Sequence, residues 1–134
     1  MARYRRNFIA GGTFFFTVKL VNPKSCLLVE HIDLLRTAYM DVQKQYPFET
    51  VAVCVLPNHI HAIWTLPPND ADYSLCWRLI KTKFSAHFPR AENLSTSKQR
   101  RNERGIWQRR FYEHTVRGLH PFQSRQTWIV RQCP

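Results

Sequence analysis

The stretch ETVAVCVLPNHIHAIWTLPP, residues 49–68, constrains the fold most. Two alternating apolar runs flank a Pro-Asn corner. Val51, Val53 and Val55 precede it; Ile60, Ala62, Trp64 and Leu66 follow it. A period of two with β-branched and aromatic residues marks a strand with one buried face. The segment therefore predicts an antiparallel hairpin that Pro67 and Pro68 close.

The flanking segments set what the hairpin packs against. GGTFFFTVKLVN alternates as well, with Phe14, Phe16, Val18 and Leu20 on one face and Phe15, Thr17 and Lys19 on the other. HIDLLRTAYMDVQKQYPF changes period: Ile32, Leu35, Tyr39, Val42 and Tyr46 form a helical stripe that Pro47 stops. NDADYSLCWRLIKTKFSAHF has a second stripe, Cys76, Leu79, Ile80, Phe84 and Phe88, with Asn69 or Asp70 as the expected cap. Residues 90–104 are polar and basic and read as a loop, and IWQRRFYEHTVR is strand-like. The order β-α-β-β-α-β predicts an α+β, ferredoxin-like split βαβ arrangement: one antiparallel sheet with both helices on one face.

That arrangement gives His59 and His61 a shared side. Alternate strand residues project together, so both imidazoles leave the face opposite Ile60, Ala62 and Trp64. Their Cα atoms lie roughly 6–7 Å apart from the per-residue rise. Two neutral imidazoles so placed can hold one divalent metal ion and leave positions for water, substrate or a third ligand. A half-exposed strand also tolerates histidines that bind nothing, so spacing alone leaves both readings open.

Charge narrows the partner. Lys and Arg total 20 against 9 Asp and Glu, a formal charge of +11 on 134 residues. This favours a polyanion, most simply nucleic acid, over an anionic membrane surface. No apolar run approaches the roughly 20 residues of a membrane span, and the basic start MARYRRNFIAGG makes a poor signal peptide. A cytoplasmic, membrane-free protein is expected. The cysteines, Cys26, Cys54, Cys76 and Cys133, form no C-x-x-C pair. Neither a zinc ribbon nor a disulfide framework is expected, and Cys54 and Cys76 read as core fillers.

Three stretches, YRRNFIAGGTFFFTVKL, PFETVAVCVLPNHIHAIWTLPPNDADYSLCWRLIKTKFS and GIWQRRFYEHTVR, resemble the REP-associated tyrosine transposases. These are HUH endonucleases, named for His-hydrophobe-His. The resemblance covers most of residues 4–117. It implies a ferredoxin-like fold, Mg²⁺ or Mn²⁺ held by His59 and His61, and single-strand DNA cleavage near REP hairpins through a 5′-phosphotyrosine. In that family the nucleophile is a tyrosine on a helix after the last strand, in a segment resembling DYIHxNPV. Here the sequence after Arg117 runs GLHPFQSRQTWIVRQCP and holds no tyrosine. The resemblance fails abruptly near Gly118, as a frameshift or truncation would produce. We therefore expect a transposase-like domain over 1–117, with a basic arm at 1–12, and an atypical tail over 118–134 that lacks or alters the catalytic helix. Tyr112 is the one substitute nucleophile to consider, and an aromatic packing or DNA-stacking role suits it better.

Basic clusters supply candidate DNA contacts: Arg3, Arg5 and Arg6 in the arm; Lys98, Arg100, Arg101 and Arg104 in the loop; Arg109 and Arg110 before the last strand. Each cluster also suits a solvated surface. If about six of these side chains touch phosphate, affinity falls by about three decades or more between low and physiological salt. Trp107 and Phe111 are candidates to stack unpaired bases, though core packing is the expected use of at least one. Three functions remain: a tyrosine transposase degraded at its C-terminus, a non-catalytic nucleic-acid-binding domain, or a metal-dependent phosphodiesterase that uses water.

Overall fold

The computed structural model describes residues 11–68, 72–89, 105–116 and 127–132. Its elements run β1 (Thr13–Lys19), α1 (Leu27–Glu30), α2 (Ile32–Gln45), β2 (Glu49–Val55), β3 (His59–Thr65), α3 (Tyr73–Ser85), β4 (Tyr112–Val116) and β5 (Thr127–Val130). The sheet order is β4-β1-β3-β2-β5. The first four strands pair antiparallel, in the expected split βαβ order, while β5 joins the edge parallel to β2. The sheet is thus mixed and five-stranded. No regular element was expected in the tail where β5 lies, because TWIV is too short for periodicity to identify it.

One face of the sheet is the core. Phe14, Phe16 and Val18 of β1 pair with Trp64, Ala62 and Ile60 of β3, and all six are buried. Leu35, Ala38, Tyr39 and Val42 close that face from α2. From α3 come Tyr73, Cys76, Trp77, Ile80 and Phe84. The centre is an aromatic stack: Trp64 lies between Phe48, 3.8 Å away by ring centroid, and Trp77, 4.4 Å away. Such pairs add about 0.5–1.5 kcal/mol each beyond the area they bury. A buried hydrogen bond of 2.6 Å between the Tyr39 hydroxyl and Thr50 Oγ1 ties α2 to β2.

Four details depart from the sequence reading. The alternation in β2 slips at a bulge between Thr50 and Ala52, so Thr50 rather than Val51 pairs with Trp64 and is buried. Asp72 caps α3, its carboxylate accepting from the Leu75 amide at 3.2 Å, whereas Asn69 and Asp70 lie outside the described residues. Only Tyr112–Val116 of the IWQRRFYEHTVR segment forms a strand, and Trp107 makes an isolated bridge to Leu20. Of the cysteines, Cys76 is buried as expected, Cys54 is only half-buried and pairs with His61, and Cys26 is disulfide-bonded. The expectation against a disulfide rested on cellular compartment, which carries no information about proximity.

Candidate functional site

The second face of the sheet carries no described helix, and the register places its side chains in rows. One row reads Tyr112, Thr17, His61 and Cys54 across β4, β1, β3 and β2. The next pairs Lys19 with His59. The two imidazoles therefore project on the same side, with ring centroids 4.8 Å apart. Phe15 stacks against the His61 ring at 5.4 Å and limits its rotation.

Hydrogen bonds hold both rings by the same nitrogen. The Asn58 amide nitrogen donates to the Pro23 carbonyl at 2.7 Å, which turns Asn58 Oδ1 toward His59. His59 Nδ1 lies 2.6 Å from that oxygen and must donate to it. His61 Nδ1 lies 2.9 Å from Thr17 Oγ1, a hydroxyl that can accept in the same way. With Nδ1 carrying the proton, His59 Nε2 keeps a lone pair, and His61 Nε2 keeps one in the tautomer whose Nδ1–H donates to Thr17 Oγ1. A metal-binding histidine is typically oriented in this manner. Both imidazoles also titrate below their ordinary 6.5, chiefly because burial penalises the charged ring, and the Lys19 charge adds to this. They are neutral at pH 7, as ligation requires. Two nitrogens on one ion stand roughly 3 Å apart, a separation that rings at this spacing can reach by small rotations. The residues present thus fit a divalent ion, although no described group of three or more His, Cys, Asp or Glu side chains could hold one.

The pair opens into a groove of about 650 Å³, whose walls include Thr17, Lys19, Asn58, Gln108 and Tyr112. A second recess of about 340 Å³ shares Thr17, Lys19, Gln108 and Tyr112 and adds Arg110 and Phe111. Gln108 sits beside β1 because its amide donates to Lys19 O at 2.9 Å and its side chain to Leu20 O at 3.3 Å. Lys81 of α3 straps the same loop by donating to Gln108 O and Arg109 O at 3.1 and 3.3 Å.

The expected DNA contacts divide accordingly. Arg109 and Arg110 are exposed. Trp107 and Phe111 have their rings against the core: Trp107 against Phe84, and Phe111 against Phe16 and Tyr73. Tyr112 is 53% exposed on the histidine face. Arg3, Arg5, Arg6, Lys98, Arg100, Arg101 and Arg104 lie outside the described residues. Sequence reasoning did not single out Thr17, Lys19, Asn58 or Gln108 as site residues. The alternation in β1 already put Thr17 and Lys19 on one face, but only the register shows which histidine each one meets.

A ferredoxin-like sheet with a paired-histidine strand at its centre is the architecture of the HUH class, and the match to family models agrees. The chain belongs to the IS200-like transposase family, whose model matches residues 18–132. Within it, the chain is similar to REP-associated tyrosine transposases. That of Escherichia coli K12 is 42% identical over 129 residues, 96% of this chain and 70% of the relative. A Haemophilus influenzae relative is 42% identical over 118 residues, 87% of this chain and 67% of its own. The solved structure of a REP-associated tyrosine transposase bound to a REP hairpin is 43% identical, with a TM-score of 0.73 over 89% of this chain. This chain spans 64% of that one. A crystal structure from Deinococcus radiodurans R1, 18% identical with a TM-score of 0.59, shares the fold alone. HUH transposases are in general divalent-metal-dependent. Among the described residues no helix is long and apolar enough to cross a membrane.

Proposed function

We propose that this chain is a cytoplasmic DNA-binding protein of the transposase type. It engages single-stranded or hairpin DNA of the REP kind, with Mg²⁺ or Mn²⁺ held between His59 and His61. The observation that carries this reading is the shared orientation of the two rings, each tied by Nδ1 to a neighbour, beside Lys19 in a groove with no carboxylate among its described lining residues. When bound, a divalent ion supplies Lewis-acid polarisation of a phosphoryl oxygen. The protein's own part is to hold the strand: Lys19, Arg109 and Arg110 offer cationic contacts to phosphate, which position a backbone without reading its sequence. The basic arm and the Lys98–Arg104 cluster, outside the described residues, are proposed as further phosphate contacts on their charge alone. Residues 1–117 are kept as the transposase-like part, and the tail over 118–134 contributes β5 to the edge of its sheet.

Binding without cleavage is the mode that the described groove supports: its walls offer a cation and polar side chains to a strand, and the tyrosine among them, Tyr112, sits on a strand. A labelled REP-type hairpin with Mn²⁺ tests this. The expected result is a mobility shift with intact DNA. A covalent protein–DNA adduct identifies a working tyrosine nucleophile instead. A free 5′-phosphate without adduct identifies a water-using phosphodiesterase, and absence of any shift overturns the DNA-binding reading. His59→Ala with His61→Ala abolishes either kind of cleavage if the metal assignment is correct.

A further inference from the structure

An exposed aromatic ring next to two anion-seeking recesses calls for a partner with both a π face and a negative charge. Tyr112 is such a ring. It is 53% exposed and pairs across β1 with Thr17, the residue that holds His61. It lines both recesses, and so does Lys19; Arg110 lines the second. Among the described residues no carboxylate lines either recess: the neighbouring Glu113 points to the opposite face and is buried. The other candidate aromatics of this segment, Trp107 and Phe111, have their rings against the core.

We infer that Tyr112 is a stacking platform for one unpaired base of bound single-stranded DNA, and that Lys19 and Arg110 take the phosphates on either side of that base. The inference rests on the DNA-binding reading above and names the substrate feature that the histidine groove selects. Tyr112 and His61 stand two strand spacings apart, about 9–10 Å. That separation suits a base on Tyr112 whose neighbouring phosphate reaches the histidines. Stacking is tolerant of base identity because every base presents a π face. Tyr112 thus sets where an unpaired nucleotide is required, while the choice of base falls to other contacts. The ring face does the work in this assignment, and the hydroxyl is dispensable.

The test uses the full chain, a synthetic REP-type DNA hairpin with an unpaired flank, and a set of the same hairpin with single abasic residues stepped through the flank. Affinity is measured by fluorescence anisotropy for wild type, Tyr112→Phe, Tyr112→Trp and Tyr112→Ala, each checked for an unchanged thermal melt. Tyr112→Phe and Tyr112→Trp are expected to bind within about twofold of wild type. Tyr112→Ala is expected to bind roughly 5- to 160-fold more weakly, the range for loss of one base–aromatic stack. One abasic position is expected to weaken wild type by a similar factor and leave Tyr112→Ala unchanged. Equal binding by wild type and Tyr112→Ala overturns the platform while leaving the DNA-binding reading intact. A Tyr112→Phe defect as large as that of Tyr112→Ala, or losses that add at every abasic position, also overturns it. A covalent adduct that Tyr112→Phe abolishes replaces it with a nucleophilic role. Absence of wild-type binding removes the functional reading and this inference together.

Discussion

Asn58→Ala isolates the most specific element of the site, the chain of hydrogen bonds that sets the His59 ring. Asn58 gives 2.7 Å to Pro23 O and takes 2.6 Å from His59 Nδ1, so one side chain fixes both the tautomer and the direction of Nε2. Alanine leaves the imidazole free to rotate and to swap its proton. Loss of such an outer partner typically costs about ten- to a hundredfold in metal affinity, or about 1.4–2.7 kcal/mol. The effect on folding is smaller: water replaces these bonds at the surface, and a typical hydrogen bond contributes about 0.5–1.5 kcal/mol net. Isothermal titration with Mn²⁺, paired with a urea melt, separates the two quantities. Asn58→Asp keeps an acceptor for Nδ1 and makes His59 more basic, so it is expected to keep at least wild-type affinity. Thr17→Val does to His61 what Asn58→Ala does to His59, with a loss in the same range. Wild-type Mn²⁺ affinity in a folded Asn58→Ala protein refutes the claim that this bond prepares the ring for a metal.

Three further outcomes follow from the structure. Lys19→Met removes a charge that depresses both imidazoles, so both NMR midpoints rise yet stay below 6.5, because burial is the larger cause; unmoved midpoints place the Lys19 charge elsewhere. Because the folded pKa values are depressed, the unfolded chain binds protons first. The contribution of these rings to stability is therefore full above about pH 6.5 and is lost as pH falls toward the folded values, which acid-side melts of the metal-free protein detect as a decline absent from His59→Ala with His61→Ala. Trp128→Ala strips β5 of its anchor, since that ring meets Tyr39 edge-on at 4.9 Å and lies under Arg36 at 5.5 Å. A loss of about 2–3 kcal/mol in urea melts is expected, less than for a fully buried tryptophan; a loss below about 0.5 kcal/mol, the range of ordinary surface changes, means that β5 is not held by this contact.

The histidine face could be read from the sequence because β3 alternates without interruption. Ile60, Ala62 and Trp64 needed the core, which left His59 and His61 only the other side. The same rule misassigned Val51, because a bulge inserts one residue and nothing in ETVAVCV marks it. In α3 the apolar stripe was recognised, but Tyr73 and Trp77 were not counted in it, although both are fully buried. Long-range partners were beyond reach. Lys19 meeting His59, Gln108 meeting the end of β1, and Tyr112 reaching the histidine row through Thr17 all depend on strand register, which is set by pairings across dozens of residues. A four-residue strand such as β5 is stabilised by docking rather than by its own pattern, so it shows only once Trp128 is seen against α2.

The proposed function requires that His59 and His61 together ligate one divalent ion. Pulsed EPR of bound Mn²⁺ tests it directly, because coupling to imidazole nitrogen reports each ligating ring. Coupling to two histidine nitrogens is expected in the wild type, to one in either single alanine variant, and to none in the double variant. Mn²⁺ bound without nitrogen coupling, or bound unchanged after both rings are removed, would contradict it.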